Sequence, residues 1–120
     1  MKHIVILISG GGSNMSAIVR TAQQQRWAER YGAKVAAVIS NRADAKGLTF
    51  AREQGIATAV IDHKTFSDQP DPRAAFDSVL MNEIDKHQPA LVVLAGFMRI
   101  LTPGFVAHYE GRLINMISSG

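Results

Sequence analysis

Gly10-Gly11-Gly12-Ser13-Asn14 lies between a run of seven mostly apolar residues and a segment of helical period. Bare backbone amides at the positive end of a helix form a cradle for a phosphate. The loop is not a P-loop, because no Gly-Lys-Ser/Thr ending follows. It is not a dinucleotide fingerprint either: Met15 stands where the third glycine is needed, and Ser40-Asn41-Arg42 stands where the acidic residue after the second strand belongs. A plain tight turn is the competing reading. A second candidate is Met98-Arg99-Ile100-Leu101, three large apolar residues and one arginine in a loop after an apolar run. They suit a flat apolar ligand bearing a carboxylate, or equally packing of the loop onto a neighbouring helix. The third is Asn115, near the tip of a strand, where a neutral amide can donate a hydrogen bond to a developing oxyanion. Asparagines so placed more often satisfy backbone groups.

Other chemistries find no residues. There is no cysteine, which excludes a disulfide framework, a thiolate nucleophile and cysteine-ligated zinc, and fits a reducing cytoplasm. His3, His63, His87 and His108 have no i, i+4 pair, so no metal is expected, and each reads as a solvated side chain. Glu83 and Asp85 read as a solvated helix face.

The elements that must position these residues follow from periodicity. Apolar runs alternate with helix-period segments, which predicts an α/β fold: an open parallel Rossmann-like sheet with helices on both faces. Strands are expected over 3–9, 34–40, 56–61, 90–95 and 112–116. Ser13 and Asp44 are expected to cap helices, the first carrying Met15, Ile18 and Ala22 inward and the second Leu48 and Ala51. Gly55 is expected one residue past a helix end. Residues 62–72 form a loop, and 73–87 a helix with Phe76, Val79, Leu80 and Ile84 in one stripe. Pro103 opens a short helix. Ligands in such sheets bind beyond the carboxyl ends of the strands, so segments 9–14, 41–46 and 96–101 and Asn115 should converge.

With 120 residues, 47% hydrophobic and 19% charged, the chain reads as one folded domain over 1–120. Its net charge of +3 suits an anionic ligand, but the basic residues are scattered, so no nucleic-acid stripe forms. The first apolar run is too short to span a membrane.

Taken in order, Ile8-Ser-Gly-Gly-Gly-Ser-Asn14, Ser40-Asn-Arg-Ala-Asp44, Gly47-Leu48, Gln54-Gly-Ile-Ala57 and Leu94-Ala-Gly-Phe-Met-Arg-Ile-Leu-Thr-Pro103 resemble the phosphoribosylglycinamide formyltransferases of purine biosynthesis. The likeness covers residues 2–115. It implies transfer of a formyl group from 10-formyltetrahydrofolate to the amine of glycinamide ribonucleotide. Gly11, Gly12, Ser13 and Asn14 would hold the ribonucleotide phosphate. Arg73, Met98, Arg99, Ile100, Leu101 and Asn115 would contact the folate, and Asn115 would also bond the formyl oxygen. In the family a histidine two positions after that asparagine is the general acid, and here Ile117 stands there, with Ser118 for the following proline. The resemblance therefore implies a C-terminally incomplete chain, inactive or nearly so alone. A phosphate-binding fragment that needs a C-terminal half is one alternative. A formyltetrahydrofolate hydrolase or methionyl-tRNA formyltransferase relative is another. Self-association through the unfinished sheet edge near Ile114, Met116 and Ile117 is also expected.

Overall fold

The computed structural model describes residues 1–116. Five strands form one all-parallel sheet in the order β3-β2-β1-β4-β5. They are β1 (Lys2–Ile8), β2 (Ala33–Ser40), β3 (Ala57–Val60), β4 (Pro89–Ala95) and β5 (Leu113–Met116). The helices are α1 (Ser13–Gln24), α2 (Trp27–Tyr31), α3 (Lys46–Glu53), α4 (Pro72–Asp85) and α5 (Pro103–His108), with a single 3-10 turn at His63–Phe66. The open parallel α/β sheet anticipated from the alternation of apolar runs and helical periods is thus what forms.

Both faces of the sheet are covered. Ile4, Ile6 and Ile8 of β1 pack with Met15 and Val19 of α1 and Leu48 and Ala51 of α3. Val5 and Leu7, pointing the other way, pack with Phe76, Leu80 and Ile84 of α4 and Phe105 of α5. That two-sided cover is why β1 is an almost unbroken Ile/Val/Leu run rather than an alternating one.

Several local expectations need correcting. Ser13 does not cap α1: it is the first helical residue, and the cap is Gly12, at φ +71°, with no side-chain bond to the first turn. A left-handed bend at the end of a glycine turn is open to Gly12 at little cost and not to a serine. Asp44 does not cap α3. The cap is Ala45, and Asp44 instead accepts two hydrogen bonds from the Arg42 guanidinium, at 3.1 and 3.2 Å. Val79 is not in the buried stripe of α4. Phe76, Leu80 and Ile84 each advance about 40° round the helix, and Val79 falls about 60° behind Phe76. Asp77, ahead of Phe76, takes the buried place instead. β3 is two residues shorter than expected.

Gly55 does end α3 as its position suggests. At φ +75° it lets the Ile56 amide reach the Ala51 carbonyl and its own amide reach the Arg52 carbonyl, both at 3.0 Å. These are the two bonds of a Schellman ending, and they turn the chain directly into β3.

Candidate functional site

The strand order reverses between β1 and β4. The chain first moves outward through β2 and β3, then crosses back to lay β4 and β5 on the other side of β1. Loops leaving β1 and β4 must therefore part, and a crevice opens at their tips. A cavity of about 450 Å³ lies there. The glycine loop from Gly10 to Asn14 lines it, with Ser9, Asn41, Arg42, His63, Ala95, Gly96, Met98 and Arg99.

One side of this cavity is the start of α1. With Gly12 at the cap position, no side chain accepts from the first-turn amides. A helix start without a capping carboxylate or hydroxyl keeps its partial positive charge available to a ligand. The loop is held from behind by α3: the Gly47 amide donates to the Gly10 carbonyl at 3.1 Å. Gly47 also lets α3 approach closely, since a Cβ there would stand 2.6 Å from Ile8 Cδ1 and 3.3 Å from the Gly10 oxygen.

The ionisable lining is Arg42, Arg99 and His63, with no carboxylate among the described residues of the lining. Arg42 is engaged by Asp44 through an exposed ion pair, an arrangement that contributes under about 1 kcal/mol. Arg99 lies with Cζ 5.4 Å from the centre of the Phe76 ring, and its Nε is buried without a partner. The loop carrying Arg99 is pinned at its far end, where the Thr102 amide donates to the buried Asp77 carboxylate at 2.7 Å and the Thr102 hydroxyl caps α5. Met98 and Ile100 are held outward, 80% and 71% exposed. Such exposure of two large apolar side chains in one short loop marks a surface that a ligand or another segment covers.

Of the residues singled out in the sequence, Gly11, Gly12, Ser13, Asn14, Met98 and Arg99 come together in the cavity. Arg73 sits exposed in the first turn of α4, away from its lining. Leu101 turns inward against the α4 side of the core. Asn115 lies opposite Leu94 in β5, one position short of the Ala95 lip, and is exposed. Ile117 falls outside the described residues. Asn41 lines the cavity with Arg42, as the convergence of strand tips required, but its hydrogen bond to Ser9 could not be foreseen. His63, expected to be solvated, is half-buried and lines the cavity. Its position just after the end of β3 was the available signal. Among the described residues no three His, Cys, Asp or Glu side chains cluster to hold a metal ion, and no helix is long and apolar enough to cross a membrane.

Residues 2–119 match the family model described as formyl transferase. The phosphoribosylglycinamide formyltransferase of Escherichia coli (strain K12) is 49% identical over 114 residues, covering 95% of this chain and 50% of that protein. A trifunctional purine biosynthetic protein adenosine-3 from Chironomus tentans is 38% identical over 96% of this chain and 8% of its own length. Among solved structures, the phosphoribosylglycinamide formyltransferases of Coxiella burnetii and Brucella melitensis superpose with TM-scores of 0.82 and 0.83, at 46% and 41% identity. Each match covers 95% of this chain and 50% and 55% of theirs. The chain thus spans about half the length of the monofunctional enzymes it matches.

Proposed function

From the premise that the chain belongs to the formyl transferase family, we propose that it is the nucleotide-binding N-terminal domain of a phosphoribosylglycinamide formyltransferase, its residues 1–120 forming one unit. The reaction would transfer the formyl group of 10-formyltetrahydrofolate to the amine of glycinamide ribonucleotide. The amine attacks the formyl carbon, a C–N bond forms, the bond from that carbon to N10 of the folate breaks, and a proton passes from the amine to N10.

One observation carries this reading. An uncapped helix start and a glycine turn face a cavity with no carboxylate in its described lining, at the point where the strand order reverses. That arrangement suits a phosphate. Gly11, Gly12, Ser13 and Asn14 are the residues proposed to hold it. The exposed side chains of Met98 and Ile100 offer an apolar wall to a flat pteridine, and Arg99 beside them a cation. Arg73, Ile100, Leu101 and Asn115 lie outside the cavity lining and are proposed to meet the folate at its rim. Asn115, beside the lip formed by Ala95, would donate to the formyl oxygen as it gains charge.

Position 117 bears on turnover. Isoleucine there carries no proton, and general acid–base help contributes about 10²–10⁴-fold. We therefore propose that this 120-residue chain binds better than it catalyses. Calorimetry with glycinamide ribonucleotide should show one site. A formyl-transfer assay with radiolabelled 10-formyltetrahydrofolate should give little product, and more when a separate C-terminal fragment of a relative is added. No heat of binding would overturn the phosphate site, and turnover near that of an intact relative would overturn the assigned importance of position 117. Among the described residues β5 is an edge strand, and Ile114 on it is 47% exposed; this supports a further proposal, that the chain self-associates through this strand.

A further inference from the structure

A directed run of polar groups crosses the tips of β4, β1, β2 and β3. It starts at the Met98 amide, which donates to Ser9 Oγ at 2.8 Å. A backbone N–H only donates, so Ser9 accepts there and must place its own proton elsewhere. It donates to Asn41 Oδ1 at 2.6 Å. That bond fixes which way the Asn41 amide is turned, and Nδ2 faces His63 Nδ1 at 3.5 Å, a long contact. Nδ2 only donates, so His63 Nδ1 is the acceptor. In a neutral imidazole the ring proton is then on Nε2. Ser9 and Asn41 are 5% and 3% exposed, so water competes little for these bonds.

His63 is the end of this run, and it lines the cavity that the glycine loop lines. The other charges beside it are Asp62, whose Oδ1 is 4.0 Å from Nδ1 and also accepts from the Lys64 amide at 2.9 Å, and the side chains of Arg42, Lys64 and Asp44, which border the same hollow, Asp44 paired with Arg42. Asp62 pulls toward the opposite tautomer, with a proton on Nδ1. The Asn41 amide opposes it from the more buried side.

We infer that His63 is a ligand-binding residue, presented through Ser9 and Asn41 as an Nε2–H donor to the anionic group of a sugar phosphate seated on the glycine loop. The inference rests on the proposed phosphate site and adds a side-chain donor from the β3 side of it. Ser9 and Asn41 are positioning residues that act through His63.

Two measurements on the 120-residue chain test it, with ribose 5-phosphate as the probe. Long-range proton–nitrogen correlation spectra of the imidazoles should show His63 as the Nε2–H tautomer, and Ser9→Ala should erode that preference. Titration with ribose 5-phosphate should show affinity about 10-fold or more weaker in His63→Ala, the loss expected when one hydrogen bond to a charged group goes. His63→Gln, which keeps a donor at similar reach, should recover part of it. An Nδ1–H tautomer would overturn the directed run. Unchanged affinity in His63→Ala would overturn the ligand role. If the unmodified chain binds no ribose 5-phosphate, the ligand role and the phosphate site both fall, and the tautomer still reports separately on the run.

Discussion

Gly12→Ala should destabilise the chain by about 2–5 kcal/mol, from two separate sources. Gly12 has φ +71°, and a residue with a Cβ held in the left-handed region costs about 1–2 kcal/mol. The new Cβ would also stand 2.9 Å from Met15 Cε and 3.2 Å from Gly47 Cα. Met15 Cε is the end of a flexible side chain and can shift, though only within a fully buried site, whereas Gly47 Cα is backbone and cannot give way freely. Overpacking of that kind costs about 1–3 kcal/mol. Urea unfolding is the assay, and with m near 2 kcal/mol/M the midpoint should fall by about 1–2.5 M. Gly11→Ala is the control. Its Cβ meets nothing within 4 Å, and Gly11 is not among the glycines of positive φ, so it should stay within about 0.5 kcal/mol of the parent. The reasoning is refuted if Gly12→Ala unfolds at the parent's midpoint, or if Gly11→Ala loses as much.

The Tyr109 phenol is fully buried and donates to Asp85 at 2.8 Å. Burial first, and then the bond to the Asp85 carboxylate and its charge, push the phenol well above its ordinary range. In the unfolded chain it loses its proton near pH 10 while the folded chain keeps it, so this contribution is complete below that pH and is lost as pH rises further, at about 1.4 kcal/mol per unit. Unfolding followed from pH 9 to 11.5 should show that slope in the parent and not in Tyr109→Phe; equal slopes would count against it. Asp77→Ala orphans the Thr102 amide and should lower stability by about 1–3 kcal/mol in the same assay, whereas Asp77→Asn keeps an acceptor and should lose less. Ile114→Lys places a charge at an exposed position of β5, an edge strand among the described residues, and should reduce concentration-dependent association in sedimentation experiments; an unaltered sedimentation profile would remove β5 from the proposal.

The layout of the sheet was legible because burial on both faces writes itself into composition: β1 and β4 are apolar on every side chain that counts. The reversal of strand order was not written there, since Val5 and Ile6 are equally apolar whichever neighbour they face. The glycine loop was legible from type and spacing alone. The polar run through Ser9 and Asn41 was not, because it joins residues 32 and 89 positions apart and each has an ordinary local reading. Caps failed for a related reason. Asp44 is a good cap by type, but Arg42 two residues earlier offered it a bidentate partner. Val79 failed because a stripe is narrower than the set of apolar residues on a helix.

β1 comes first in chain order among the five described strands yet lies in the middle of the sheet, so its pairing is among the last to be completed. Its pairing with β2 can form early, but Leu7 waits for Leu94. At synthesis rates of about 5–20 residues per second, that wait lasts on the order of 5–20 s. Throughout it, the β4 side of a strand that is almost wholly isoleucine, valine and leucine stays unpaired in the nascent chain. The central place that shields β1 in the finished sheet is therefore closed on its second side only after Leu94 has been made.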